Sequence, residues 1–147
     1  MADIHKVGLL TFKDGAFLMC KKSRDTSRLI LPGGRIEPGE TELQCLEREL
    51  VEELGEVSLA DPVFLGRYTD IAHSDDPTVV RTLKIALYTG RIVGTPRPCS
   101  EITELVWFGK NSNRADLTPI FTNAVLPDLI ARKILPWQRE GYFFQKS

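Results

Sequence analysis

The stretch GRIEPGETELQCLERELVEELGE, Gly34 to Glu56, divides into a glycine-bounded loop and a helical pattern. Thr41 with Gln44 three residues later has the form of a capping box. Leu43, Leu46, Leu50 and Leu54 then recur at helical spacing until Gly55 closes the run. From Gly34 the loop nearly spells the phosphate-binding pattern G-x-x-x-x-G-K-[ST], with Gly34, Gly39 and Thr41 in place and Glu40 where the lysine belongs. A carboxylate at that position argues against a P-loop kinase. It leaves open where the counter-charge to a phosphate would come from.

The helix supplies an answer. It holds five glutamates, and at about 100° per residue Glu49, Glu52 and Glu53 gather on one face beside the leucine stripe. Like charges one turn apart destabilise a helix, and Arg48, four residues before Glu52, offsets part of that cost. On an isolated amphipathic helix such a face is an ordinary solvated surface. Beside a glycine loop it suits a hard divalent cation, since Mg²⁺ takes oxygen ligands from a few carboxylates together with substrate phosphates.

This stretch resembles the Nudix box, G-x5-E-x7-R-E-U-x-E-E-x-G-U with U a bulky apolar residue. Gly34, Glu40, Arg48, Glu49, Leu50, Glu52, Glu53 and Gly55 match; Glu56 stands at the last apolar position, with Val57 one step later. The fixed polar and glycine matches would coincide by chance in roughly one placement in 10⁸ at about 7% usage each. The flanking strand order and EITELVWF, Glu101 to Phe108, extend the resemblance over nearly the whole chain.

The resemblance implies a MutT-like hydrolase that splits a nucleoside diphosphate linked to another moiety, such as a nucleoside triphosphate or a nucleotide derivative, by attack of water on phosphorus. It implies that Glu49, Glu52 and Glu53, with the Gly34 carbonyl, bind Mg²⁺ or Mn²⁺, and that Arg48 belongs to the catalytic set by orienting these carboxylates. Such metals neutralise developing charge and activate water. Glu40 either ties the loop to the helix or is a glutamate favoured by the helix dipole. The general base is either Glu49 or Glu101, with Glu104 close by as an alternative to Glu101. Arg28 and Arg35 are candidates for phosphate contacts, or else solubilising charges. Asn123 is a candidate for the base edge, or else a helix cap. His5 and His73 have no partner at metal-ligand spacing.

The whole chain is consistent with this. It has 147 residues, 42% hydrophobic and 27% charged, which suits one globular domain over 1–147. Lys and Arg total 19 against 20 Asp and Glu, so no basic excess is available for a polynucleotide, and no apolar run is long enough for a membrane. The expected partner is a small nucleotide, and a homodimer is compatible with these properties. Cys20, Cys45 and Cys99 are odd in number and form no C-x-x-C pair, and MADIHKVGLLTF lacks the form of a signal peptide. The expected location is cytoplasmic.

Outward from the box, Ile4 to Phe12 and Ala16 to Lys22 read as a hairpin turning at KDG, and Leu29 to Leu31 as a short buried strand stopped by Pro32-Gly33-Gly34. Pro62 to Ala72 and Thr78 to Ile92 read as a second hairpin around HSDDP, Glu101 to Phe108 as a strand, and Phe121 to Ile134 as a last helix. The expected fold is α+β: an α/β/α sandwich of Nudix type, with a mixed central sheet plus hairpin strands. A Nudix-fold module that binds or senses nucleotides without turnover is the alternative. Retention of the full repulsive set Glu49, Glu52 and Glu53 disfavours it.

Overall fold

The computed structural model describes residues 3–22, 28–73 and 78–137. The strands are β1 (Ile4–Leu10), β2 (Phe12–Lys13), β3 (Ala16–Lys22), β4 (Gly33–Arg35), β5 (Ser58–His73), β6 (Val80–Val93) and β7 (Ile102–Phe108). Helix α1 spans Glu42–Leu54, and a π-helical turn at Phe121–Val125 leads into α2 at Leu126–Ala131. One sheet has the order β4-β1-β6-β5 and is mixed, with β1 parallel to β6; the other, β2-β3-β7, is antiparallel.

Alternation along the strands explains the layers. Val7 and Leu9 of β1 and Leu18 and Cys20 of β3 share a core with Leu46, Leu50 and Leu54 of α1. Leu10, Phe17 and Met19 point the opposite way, into a core with Phe121, Val125 and Leu129. Because successive strand residues face opposite sides, strands with no polar face need a helix layer over each. The α/β/α sandwich is the result.

Three of the expected elements differ from those observed. The first hairpin is confined to Phe12–Lys13 against Ala16–Phe17, turning through Asp14 and Gly15, both at positive φ. Its longer half, β1, lies in the other sheet between β4 and β6, because Val7 to Leu10 are buried on both faces and require an internal position. Leu29 and Ile30 make isolated bridges, to Leu117 and Cys20, and the strand forms instead at Gly33–Arg35, where a stop was expected. Gly33 sits at φ +144 with its Cα against the Val7 carbonyl, where a Cβ would fall 2.0 Å from that oxygen. Only glycine can pair there.

The last helix begins with a widened turn in which the Leu126 N–H donates to the Phe121 carbonyl, and it ends at Ala131, short of Ile134. Pro127 has no N–H to give to the carbonyl of residue 123, so a regular α ladder cannot run through it. The β5–β6 hairpin is present; residues 74–77 of its HSDDP turn lie outside the described residues. Among the described residues no helix is long and apolar enough to cross a membrane.

Candidate active site

Helix α1 begins at Thr41, whose Oγ1 accepts the Gln44 N–H while the Gln44 Oε1 accepts the Thr41 N–H. It ends at Gly55, φ +91. Val57 is buried and Glu56 exposed, so the apolar position that closes the box has moved by one residue. These caps fix the rotation of the helix against β4. Cys45, Leu46, Leu50 and Leu54 are buried, and Glu49 and Glu53 are turned towards the two glycines of β4.

Glu53 is 5% exposed, and its Oε1 accepts the Gly33 N–H at 2.9 Å. Burial pushes its carboxyl up to about 7, against the lowering effect of the Gly33 hydrogen bond and with added repulsion from Glu49. Glu49 is also raised, first by burial, then with Arg48 opposing and Glu52 adding to the rise. Its carboxylate rests on the bare Cα of Gly34: a Cβ there would lie 2.4 Å from Glu49 Cδ.

Arg48 joins the loop to the helix. Its Nε donates to Glu40 Oε2 at 2.6 Å and one terminal nitrogen to Glu40 Oε1 at 3.0 Å, a two-pronged contact. That same nitrogen reaches the Arg35 carbonyl at 3.2 Å, and the other donates to Glu49 at 3.0 Å and Glu52 at 3.4 Å. Glu40 also accepts the Glu37 N–H, and the Arg48 hydrogen bond holds its carboxyl down at about 2. Glu40 therefore pins the loop through Arg48.

A cavity of about 470 Å³ opens between this helix edge and the 118–125 segment. Its charged end is lined by Glu49, Glu53, Glu101, Lys6, Lys22 and Arg35. Glu101, just before β7, lies 3.7 Å from the Lys22 ammonium; Glu104 is not part of the cavity lining and pairs in register with Lys21 on β3. Lys6 was not singled out from the sequence, since a lysine in a strand looks like an exposed position. It pairs in register with Arg35, and burial, followed by repulsion from Lys22 and Arg35, lowers its ammonium.

The remaining sequence candidates separate. Arg35 reaches the cavity. Arg28 does not line it; its guanidinium donates to the Leu117 carbonyl at 2.9 Å. Asn123 is exposed and also off the cavity wall, donating to Asp70 at 3.4 Å. It lies within the π turn, so it is not the cap of that helix. Glu52 is largely exposed and bound to Arg48.

Among the described residues, no three acidic, histidine or cysteine side chains converge into a preformed metal cage. Carboxylates repel, so Glu49 and Glu52 turn to Arg48, and Glu53 to a backbone N–H. The donor set still fits a hard divalent cation: two desolvated carboxylates at the cavity wall, a third on the adjoining helical turn and the backbone of a glycine strand, with oxygen as the ligand atom throughout.

The Gly34 contact gives a direct prediction. Gly34→Ala displaces the Glu49 carboxylate without straining the backbone, since Gly34 has no positive φ. Turnover is expected to fall by about 100-fold, as for an ångström-scale misplacement, while the melting temperature changes by only about 3 °C. Steady-state kinetics beside a thermal melt check both.

Known proteins share part of this sequence and its fold. The NUDIX domain profile matches residues 5–129. The nucleoside triphosphatase NudI of Escherichia fergusonii is 40% identical over 67 residues, covering 43% of this chain and 44% of that protein. NudI of Escherichia coli O1:K1 is 39% identical over 61 residues, covering 39% and 43%. The matched part thus spans less than half the length of these curated relatives. In fold, the chain is similar to the E. coli ORF135 protein, with a TM-score of 0.67, 22% identity and coverage of 94% of this chain and 96% of that one. It is similar also to a NUDIX hydrolase from Nitrosomonas europaea, with a TM-score of 0.66, 24% identity and coverage of 89% and 90%. With a profile match that runs from β1 through the carboxylate helix into α2, the chain belongs to the Nudix family.

Proposed function

We propose that this protein hydrolyses a small nucleotide in which a nucleoside diphosphate is linked to a further group, a nucleoside triphosphate or a nucleotide derivative, with the aid of Mg²⁺ or Mn²⁺. The observation that carries this reading is the meeting of the Glu49 and Glu53 carboxylates with Lys6, Lys22 and Arg35 at one end of a single cavity. The cations can meet phosphate oxygens, while the carboxylates leave a region of negative charge that a phosphate alone would not enter. Glu49, Glu52, Glu53 and the Gly34 carbonyl would hold the metal, which would neutralise phosphate charge and activate water.

The chain's own groups supply the rest. Arg48 keeps Glu49 and Glu52 oriented and the loop closed on the helix. Glu101, at the same end of the cavity and beside Lys22, can take the proton from the attacking water, a role Glu49 could also fill. The similarity to NudI, named as a nucleoside triphosphatase, favours a triphosphate substrate.

A panel of nucleoside triphosphates and diphosphate-linked nucleotides, assayed with Mg²⁺ and with Mn²⁺, tests the reading. Turnover should require the metal, and Glu52→Gln should lower it by about 1,000-fold while the melt is preserved, as Glu52 is surface-exposed. Metal-independent turnover, or full activity in Glu52→Gln, would refute the assignment. No turnover across the panel would favour the binding module.

A further inference from the structure

Glu101 owes its place in the cavity to the end of α1. The last carbonyls of a helix have no partner within it. Here the Glu53 carbonyl accepts the Cys99 N–H at 3.0 Å, and the Leu54 carbonyl accepts the Arg97 N–H at 2.9 Å. The segment that leads into β7 therefore caps the same helical turn that carries the Glu53 carboxylate. It is seated closely: a Cβ on Gly55 would lie 3.0 Å from Arg97 Nε and 3.4 Å from Cys99 Sγ.

Strand β7 fixes the other side. Ile102, its first residue, pairs with Lys22 of β3, and the Lys22 ammonium is the one beside Glu101. Only Ser100 and Glu101 separate the Cys99 anchor from the strand. They form a turn closed by the Ile102 N–H donating to the Cys99 carbonyl at 3.0 Å.

Within this turn Ser100 is at φ +58, whereas Glu101 is not at positive φ. A turn with positive φ at its first central residue alone is of the II′ kind, where glycine is the usual occupant. The Ser100 side chain is exposed, so core packing does not offset the strain. Such a backbone persists only where its surroundings enforce it, and residues of this kind gather at active sites. The enforcing groups here are the two hydrogen bonds to α1 on one side and β7 on the other.

We propose that Ser100 is a positioning residue: its positive φ, imposed by the cap on α1 and by β7, holds the Glu101 carboxylate at the end of the cavity lined by Glu49 and Glu53. The inference rests on the hydrolase reading, with Glu101 as the group that takes the proton from the attacking water. Because one loop serves both as helix cap and as carrier of Glu101, the proton acceptor and the carboxylate helix keep a fixed relation although they lie far apart in sequence.

The test is a cycle of Ser100→Val, Glu101→Gln and the double variant. Values of kcat and KM are read with Mg²⁺ on whichever nucleotide of the panel the natural chain turns over fastest. Valine, being β-branched, disfavours positive φ, and at an exposed position it disturbs no core contact. Glu101→Gln should lower kcat by about 1,000-fold and Ser100→Val by about 100-fold, each with KM changed by less than about 3-fold. The double variant should match Glu101→Gln to within about 3-fold, since Ser100 acts through Glu101. Ser100→Gly, which adopts positive φ freely, should recover kcat to within about 3-fold of the natural chain. Thermal melts establish that each variant is folded, and Ser100→Thr, also β-branched, replaces a Ser100→Val chain that does not fold. Losses that add in the double variant, an equal loss in Ser100→Gly, or full turnover in Ser100→Val overturn the inference and leave the hydrolase reading standing. So does full turnover in Glu101→Gln, which gives the proton to Glu49. Absence of turnover across the panel with either Mg²⁺ or Mn²⁺ overturns both.

Discussion

Replacing Glu53 by Gln is expected to abolish turnover, with a loss of at least about 1,000-fold, and at the same time to stabilise the metal-free protein at pH 8. The two effects have one cause. Glu53 is buried, and its carboxyl is raised from an ordinary value of 4.5 to about 7. An acid whose folded pKa lies above its unfolded one binds more protons when folded, so stability falls as pH rises from about 4.5 to 7 and stays low above that. The penalty is on the order of 3 kcal/mol.

Glutamine keeps an oxygen for the Gly33 N–H without carrying charge. Its variant should melt about 5–10 °C higher at pH 8 in the absence of metal, and the difference should shrink towards pH 5. Mg²⁺ should raise the melting temperature of the natural protein and have little effect on the variant, because a ligand stabilises only the state that binds it. Differential scanning calorimetry across pH, with and without Mg²⁺, reads all of this. A variant that melts lower at pH 8, or that still turns over, would contradict the role assigned to Glu53.

The second large effect is expected at Arg48. Arg48→Ala leaves Glu40, Glu49 and Glu52 without their shared cation and frees the Arg35 carbonyl. Without its two-pronged hold on Glu40 the 35–40 loop detaches from α1, and the mutual repulsion of the carboxylates is unrelieved. We expect kcat/KM to fall by about 100-fold and stability by about 2 kcal/mol. Arg48→Lys should recover part of the stability and little of the rate, because an ammonium is a point charge and cannot fork between Glu40 and the helix carboxylates. Equal recovery of both would mean that Arg48 acts through charge alone.

Helix α1 was legible in the sequence to the residue, with its cap at Thr41 and its stop at Gly55, because capping and leucine spacing act within one or two turns. The same locality placed Glu49, Glu52 and Glu53 on adjoining positions of one helix and linked Arg48 to Glu52. The long β5–β6 hairpin was legible for a similar reason, since its strands are sequence neighbours.

Other features depended on distant parts of the chain. Whether Ile4 to Leu10 pairs with its neighbour in sequence or with Leu83 to Thr89 turns on both of its faces being buried, and a single strand's pattern does not name its partner. Lys6 reads as a surface lysine until β1 is placed beside Arg35 and Lys22. Arg28 and Asn123 were reasonable candidates by type, but folding commits them to the Leu117 carbonyl and to Asp70.

By itself, then, the sequence determined the carboxylate helix, its caps and the chemistry its oxygen atoms permit, since each depends on residues within a few positions of one another. The tertiary structure alone decided which charges share the cavity, that Glu53 is buried enough to be raised to about 7, and that Met19, Leu83 and Phe121 line the same cavity. Those properties depend on desolvation and on groups brought together from separate strands.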